Sequence, residues 1–203
     1  YIKSFKIPNR MKIGVMVNAY ELISHKLNLK KAIDLLFSNK KLSRVNFIRL
    51  ACHFSEFKKT IEAANILKKK GYQIAVNLMQ ISERTEKEII EAGKLAKKSN
   101  IDILYFADSL GSMSDIHINK IVRNLAVNWK GEIGIHTHNN LGLALSNTIT
   151  AIKSGVKWVD STVTGMGRGA GNAQTEYLIL ELEKFQNKFY NNLNLLKLIK
   201  FYF

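Results

Sequence analysis

Apolar residues along this chain fall into two alternating patterns. Six short segments are continuously rich in β-branched and apolar side chains: Lys12 to Asn18, Val45 to His53, Gln73 to Met79, Ile101 to Asp108, Glu132 to His138 and Lys157 to Val163. Continuous apolar character, without strict alternation, predicts strands covered on both faces. Between them the spacing turns helical. Phe57, Ile61, Ala64 and Leu67 share a face, and Gly71 follows where a helix-ending glycine belongs. Thr85 with Glu88 forms a capping box ahead of Ile89, Ala92 and Ala96. Ile118, Ile121, Val122 and Leu125 make a third stripe, and Leu145, Ile149 and Ile152 a fourth before Gly155. The strand starts recur roughly every 25 to 33 residues, the length of a strand plus crossover helix. Alternation of this kind predicts an α/β architecture with a parallel sheet, either open and doubly wound or a (β/α)8 barrel. Six units are two short of a closed barrel.

Composition narrows the class. The 203 residues are 46% hydrophobic and 23% charged, enough for one globular domain with a sizeable core. No apolar run approaches the ~18 residues needed to span a bilayer. The opening Tyr1 to Lys6 has no apolar stretch of the secretory kind, so a cytoplasmic location is expected. A single cysteine, Cys52, excludes an internal disulfide framework and reads as a small core residue. Lys+Arg number 31 against 16 Asp+Glu, a net charge of +15. That balance invites a nucleic-acid or acidic partner. Yet the lysines sit in helix-like stretches such as Lys68–Lys70, as a solvated surface would carry them.

Three segments carry candidate chemistry. In Gly134-Ile135-His136-Thr137-His138-Asn139-Asn140, histidines at i and i+2 of a strand point to one face. They could ligate a metal at the mouth of a barrel or cap the strand by hydrogen bonds. Gly165-Met166-Gly167-Arg168-Gly169-Ala170-Gly171-Asn172 precedes a helical Tyr177 to Phe185. Its glycines allow close approach of backbone to a ligand. A dinucleotide loop would need a further strand with an acidic residue, and none follows; the phosphate-loop lysine is also missing. Ala107-Asp108-Ser109-Leu110-Gly111 ends the fourth strand, where the Asp/Ser pair could touch substrate or cap the next helix. Arg49 ends the second strand and faces either the mouth or a helix; His53 reads as a loop residue.

Taken in order, Tyr105-Phe-Ala-Asp-Ser-Leu-Gly, His136-Thr-His-Asn-Asn-Leu-Gly-Leu-Ala and Asp160-Ser-Thr-Val-Thr-Gly-Met-Gly-Arg-Gly-Ala-Gly-Asn resemble the last three strands of one family. It is the metal-dependent TIM-barrel family of 3-hydroxy-3-methylglutaryl-CoA lyase, 4-hydroxy-2-oxovalerate aldolase and the isopropylmalate and homocitrate synthases. The resemblance runs from about Met11 to Phe185. The glycine loop is similar to the aldolase form, although Arg168 stands where aldolases more often have a small residue.

The resemblance implies an incomplete (β/α)8 TIM barrel, with about strands 3 to 8 present and residues 1–203 forming one partial catalytic domain. It implies His136, His138 and Asn172 as ligands of a divalent metal, Mn²⁺ or Mg²⁺. Asp108 and Ser109 become the expected catalytic pair, and Arg49, Gly167 and Gly169 the substrate contacts. The family's Arg-Asp-Gly strand motif, which supplies an anionic ligand and an arginine, has no counterpart here. The expectation is therefore an incomplete copy, inactive alone, of an aldolase that splits a 4-hydroxy-2-keto acid into pyruvate and an aldehyde. Its expected partners are a small keto acid, with no membrane and no nucleic acid, and a second copy or an aldehyde dehydrogenase. The alternatives are an acyl-CoA and keto-acid synthase, or a noncatalytic basic binding module.

Overall fold

A computed structural model describes residues 7–8, 10–186 and 193–202. The opening Tyr1 to Lys6 and the final Phe203 lie outside the described residues. The chain divides into two compact units, one of Tyr1–Met79, Thr85–Phe106 and Asn124–Glu132, the other of Gln80–Arg84, Ala107–Arg123 and Ile133–Phe203.

The first unit runs β1 (Ile13–Asn18), α1 (Ala19–Ile23), α2 (Leu29–Leu36), β2 (Val45–Cys52), α3 (Phe57–Lys69), β3 (Gln73–Leu78), α4 (Glu86–Lys97) and into β4 (Ile103–Asp108). The strands lie side by side in chain order and pair in parallel, with Arg49 opposite Ala75 and Asn77 opposite Tyr105. Ile48, Leu50, Ile74, Val76, Leu78, Ile103, Leu104 and Phe106 are wholly buried, so β3 and β4 are covered on both faces as their sequence predicts. Full burial of each such side chain stabilises by about 1.5–3 kcal/mol. β1 departs from that pattern: Val15 and Val17 are half-buried while Met16 is 61% exposed.

Local signals hold in α3 and α4. Lys70 ends α3 and Gly71 turns the chain at φ +93°, a conformation glycine adopts without strain. Thr85 Oγ1 accepts from the Glu88 N–H, and a Glu88 carboxylate oxygen accepts from the Thr85 N–H at 2.8 Å. Two short helices, α1 and α2, add to those the sequence predicts. Asn18 and Asn28 cap them, yet α2 buries only Ala32 and Ile33 and leaves Leu35 and Leu36 exposed.

α5 (Asp115–Asn128) is followed by β5 (Glu132–Thr137), α6 (Ala144–Lys153), β6 (Trp158–Val159), α7 (Thr175–Gln186) and α8 (Leu193–Tyr202). In the second unit β5 and β6 pair in parallel, Gly134 with Trp158 and Ile135 with Val159. Two expectations need correction here. The strand predicted to reach Val163 stops at Val159, because beyond it the Thr162 N–H turns to the Ala173 carbonyl at 3.0 Å. In α6 the buried stripe is Ala144, Asn147, Thr148 and Ala151, with Leu145, Ile149 and Ile152 only half-buried. The small and polar residues go inward because each polar group has a partner: Thr148 Oγ1 donates to the Ala144 carbonyl at 2.7 Å and Asn147 Nδ2 to the Met113 carbonyl at 2.7 Å. Parallel strands alternating with helices, in chain order within each unit, make this an incomplete (β/α)8 TIM barrel. No helix among the described residues is long and apolar enough to cross a membrane.

Candidate metal centre

The site grows from the end of β5. Strand alternation sends Thr137 one way and His136 and His138 the other. Thr137 is buried, and its Oγ1 is 3.0 Å from Thr148 Oγ1 on α6, which fixes the roll of the strand end. The two histidines thus turn toward each other, with Nε2 atoms 3.3 Å apart and rings at 85°. Burial, then the neighbouring His136 and Arg168, holds the His138 pKa below its ordinary value, so its imidazole is neutral at pH 7. A neutral imidazole keeps the lone pair that a metal needs.

Asn172 comes from the glycine loop. It faces His138 across a single antiparallel bridge, and the Asn139 N–H donates to the Gly171 carbonyl at 2.9 Å. The Asn172 side chain is buried; Nδ2 donates to the Met166 carbonyl at 3.1 Å, whereas Oδ1 is buried with no partner. A buried acceptor left unmade costs about 1–3 kcal/mol, so an orphan Oδ1 on the residue that bridges to His138 fits a cation. Two imidazole nitrogens and an amide oxygen are a borderline donor set suited to a divalent ion. Among the described residues no group of three His, Cys, Asp or Glu side chains gathers to hold a metal, so the set lacks an anionic ligand.

Gly167 and Gly169 play unlike parts. A Cβ on Gly167 would meet the Asn172 amide nitrogen, so this glycine admits the amide; Gly169 sits at φ +63° in open space. Asp108 is wholly buried, and its carboxylate accepts from the Ser112 and Met113 N–H groups at 3.0 and 3.2 Å, capping the turn. Burial raises its pKa, opposed by those two N–H groups and by His138. Ser109 Oγ accepts from the Gln80 N–H at 2.9 Å and so holds a left-handed non-glycine turn, Gln80 lying at φ +52°. Arg49 belongs to the first unit, its guanidinium 4.5 Å from the centre of the Tyr105 ring. The exposed His53 opens a short turn that Glu56 caps by accepting from the His53 N–H at 3.0 Å. Burial pushes the Cys52 thiol up to about 12, which fits a core residue and not a nucleophile.

One residue of the site had no role assigned from sequence. Asp160 opens the third family-like segment, and its Oδ2 lies 2.8 Å from His136 Nδ1. The signal was the β5–β6 register: with Ile135 opposite Val159, the next pair is His136 beside Asp160.

A parallel strand-helix wall with two histidines at a strand end, bridged to a glycine loop, defines a protein of the (β/α) barrel class. The chain belongs to the HMGL-like family, whose model matches residues 38–202. It is 33% identical over 141 residues to a 4-hydroxy-2-oxovalerate aldolase of Bacillus cereus (strain 03BB102), which covers 70% of this chain and 41% of that protein. It is 34% identical over 140 residues to the Pelotomaculum thermopropionicum enzyme of the same name, covering 69% and 41%. The chain thus spans about two-fifths of the length of these relatives. Among solved structures, the N-terminal domain of a proposed aldolase from Bacteroides vulgatus superposes with a TM-score of 0.75 at 27% identity, over 94% of this chain and 61% of that one. HMG-CoA lyase of Bacillus subtilis gives 0.72 at 17% identity, over 90% and 65%, a likeness of fold alone.

Proposed function

We propose that this chain carries part of the metal site and substrate wall of a carbon–carbon lyase that cleaves a 4-hydroxy-2-keto acid to pyruvate and an aldehyde. The observation that supports it is the approach of His136 Nε2 to His138 Nε2 at 3.3 Å, with an unpartnered, buried Oδ1 on Asn172, the residue that bridges to His138. These three would hold a divalent ion, Mn²⁺ or Mg²⁺. Such an ion supplies Lewis acidity to the carboxylate and carbonyl of the keto acid. The chain's own groups do the rest of the work available to them. Gly167 keeps the Asn172 amide in place. Asp108 sets the turn after β4 and puts negative charge near His138. The Ser109 hydroxyl, already an acceptor from Gln80, has its proton to donate to substrate, while Gly169 leaves an open approach. An aldehyde product suits hand-over to an oxidising partner in the cytoplasm.

Three neutral donors hold a cation weakly, so the chain alone should bind Mn²⁺ with low affinity and release no pyruvate. Mn²⁺ titration followed by electron paramagnetic resonance should show one site that His136→Ala and His138→Ala each abolish. A wild-type chain without that site, or variants that bind equally well, would reject the metal reading. Measurable pyruvate release from a 4-hydroxy-2-keto acid by these 203 residues would reject the partial-site reading.

A further inference from the structure

We infer that Asp160 is a positioning residue: it selects the ring tautomer of His136 and thereby presents a bare Nε2 to the cation. The inference rests on the metal reading above for its purpose, but its geometry stands apart from it.

A carboxylate only accepts hydrogen bonds. With Asp160 Oδ2 2.8 Å from His136 Nδ1, the ring proton belongs on Nδ1. A neutral His136 then has its lone pair on Nε2, the atom facing His138 Nε2 at 3.3 Å. The opposite tautomer would place a proton in the gap between the two rings, where the cation must sit. A solvated imidazole prefers its proton on Nε2, so the strand end needs something to reverse that preference, and Asp160 supplies it. Metal-ligating histidines are commonly held this way, and losing the holder costs about 10–100-fold in metal affinity.

The backbone makes the pairing stiff. β5 and β6 are in parallel register at Ile135 and Val159, and the Asp160 N–H donates to the Ile135 carbonyl at 3.1 Å. His136 and Asp160 are thus neighbours by sheet geometry, with side chains only 26% and 20% exposed.

The test has a readout that needs no metal. Long-range ¹H–¹⁵N NMR of the imidazoles reports which ring nitrogen is protonated. The wild type should show His136 protonated on Nδ1 and bare on Nε2. Asp160→Ala should move the proton toward Nε2 while the protein still melts cooperatively. Asp160→Leu, which keeps comparable bulk without any acceptor, covers the case in which the alanine variant fails to fold. Both variants should lose 10- to 100-fold in Mn²⁺ affinity. A wild-type His136 protonated on Nε2, a tautomer unmoved by substitution, or a moved tautomer with unchanged Mn²⁺ affinity would each overturn the inference. A wild type that binds no Mn²⁺ would instead refute the metal reading, and the NMR comparison would still decide the tautomer.

Discussion

Replacing Gly171 by alanine should damage the glycine loop far more than replacing Gly169, although both lie at positive φ in the same turn. Gly169 is at φ +63° with nothing within 4 Å of a built Cβ. Its substitution meets only the left-handed penalty, about 1–2 kcal/mol. That penalty is offset by about 0.4–1 kcal/mol from restricting the unfolded chain. The net loss is about 0.5–1 kcal/mol. Gly171, at φ +85°, carries the same conformational cost and also directs a Cβ into the Gly165 carbonyl. That carbonyl accepts from the Asn172 N–H at 3.0 Å, and the Gly171 carbonyl accepts from Asn139 at 2.9 Å. Displacing the loop strains both bonds, each worth about 0.5–1.5 kcal/mol net. The alanine variant should therefore lose roughly 2–4 kcal/mol in total. Urea unfolding at constant m-value measures the difference directly. Losses that agree within about 0.5 kcal/mol would refute the steric argument, since only that term separates the two sites.

Further outcomes follow from the same geometry. Gly167→Ala should lower Mn²⁺ affinity by displacing the Asn172 amide, at a cost of about 0.5–1.5 kcal/mol for the lost bond to the Met166 carbonyl; equal affinity would show that the amide is not a ligand. Cys52, with its thiol pushed up to about 12, should resist iodoacetamide at pH 8 until the protein unfolds, its thiolate fraction there being ~10⁻⁴. Native-state labelling at the rate of a free thiol would contradict its burial. His138 has its pKa lowered below 6.5 in the fold, so the unfolded chain takes up that proton first. Its contribution to stability is present above pH 6.5 and is lost as pH falls through the folded value. His138→Gln should flatten that part of the stability profile, and a profile identical to wild type would refute the assignment. The raised pKa of Asp108 acts in the opposite sense, its contribution being complete below pH 3.8 and lost as pH rises through the folded value, so comparison with His138→Gln isolates the histidine.

Much of this protein was legible in the order of its residues. Continuous apolar runs at Gln73–Leu78 and Ile103–Asp108 could only be satisfied by cover on both faces, and the Thr85–Glu88 box and Gly71 mark helix ends through bonds and dihedrals local to a few residues. The i and i+2 spacing of His136 and His138 likewise placed both on one face, because a strand's side chains alternate whatever surrounds it. What tertiary structure decided was every choice between partners distant in sequence. The inward stripe of α6 is set by Thr137 and Met113, which satisfy Thr148 and Asn147; a count of apolar residues puts Leu145 and Ile149 there instead. β6 ends at Val159 because the Ala173 carbonyl, from beyond the glycine loop, captures the Thr162 N–H. The bond from Asp160 to His136 Nδ1 depends on a register 24 residues apart in sequence. Local dihedral preference and periodicity are properties of the chain itself, whereas the pairing of buried polar groups exists only once the sheet has brought them together.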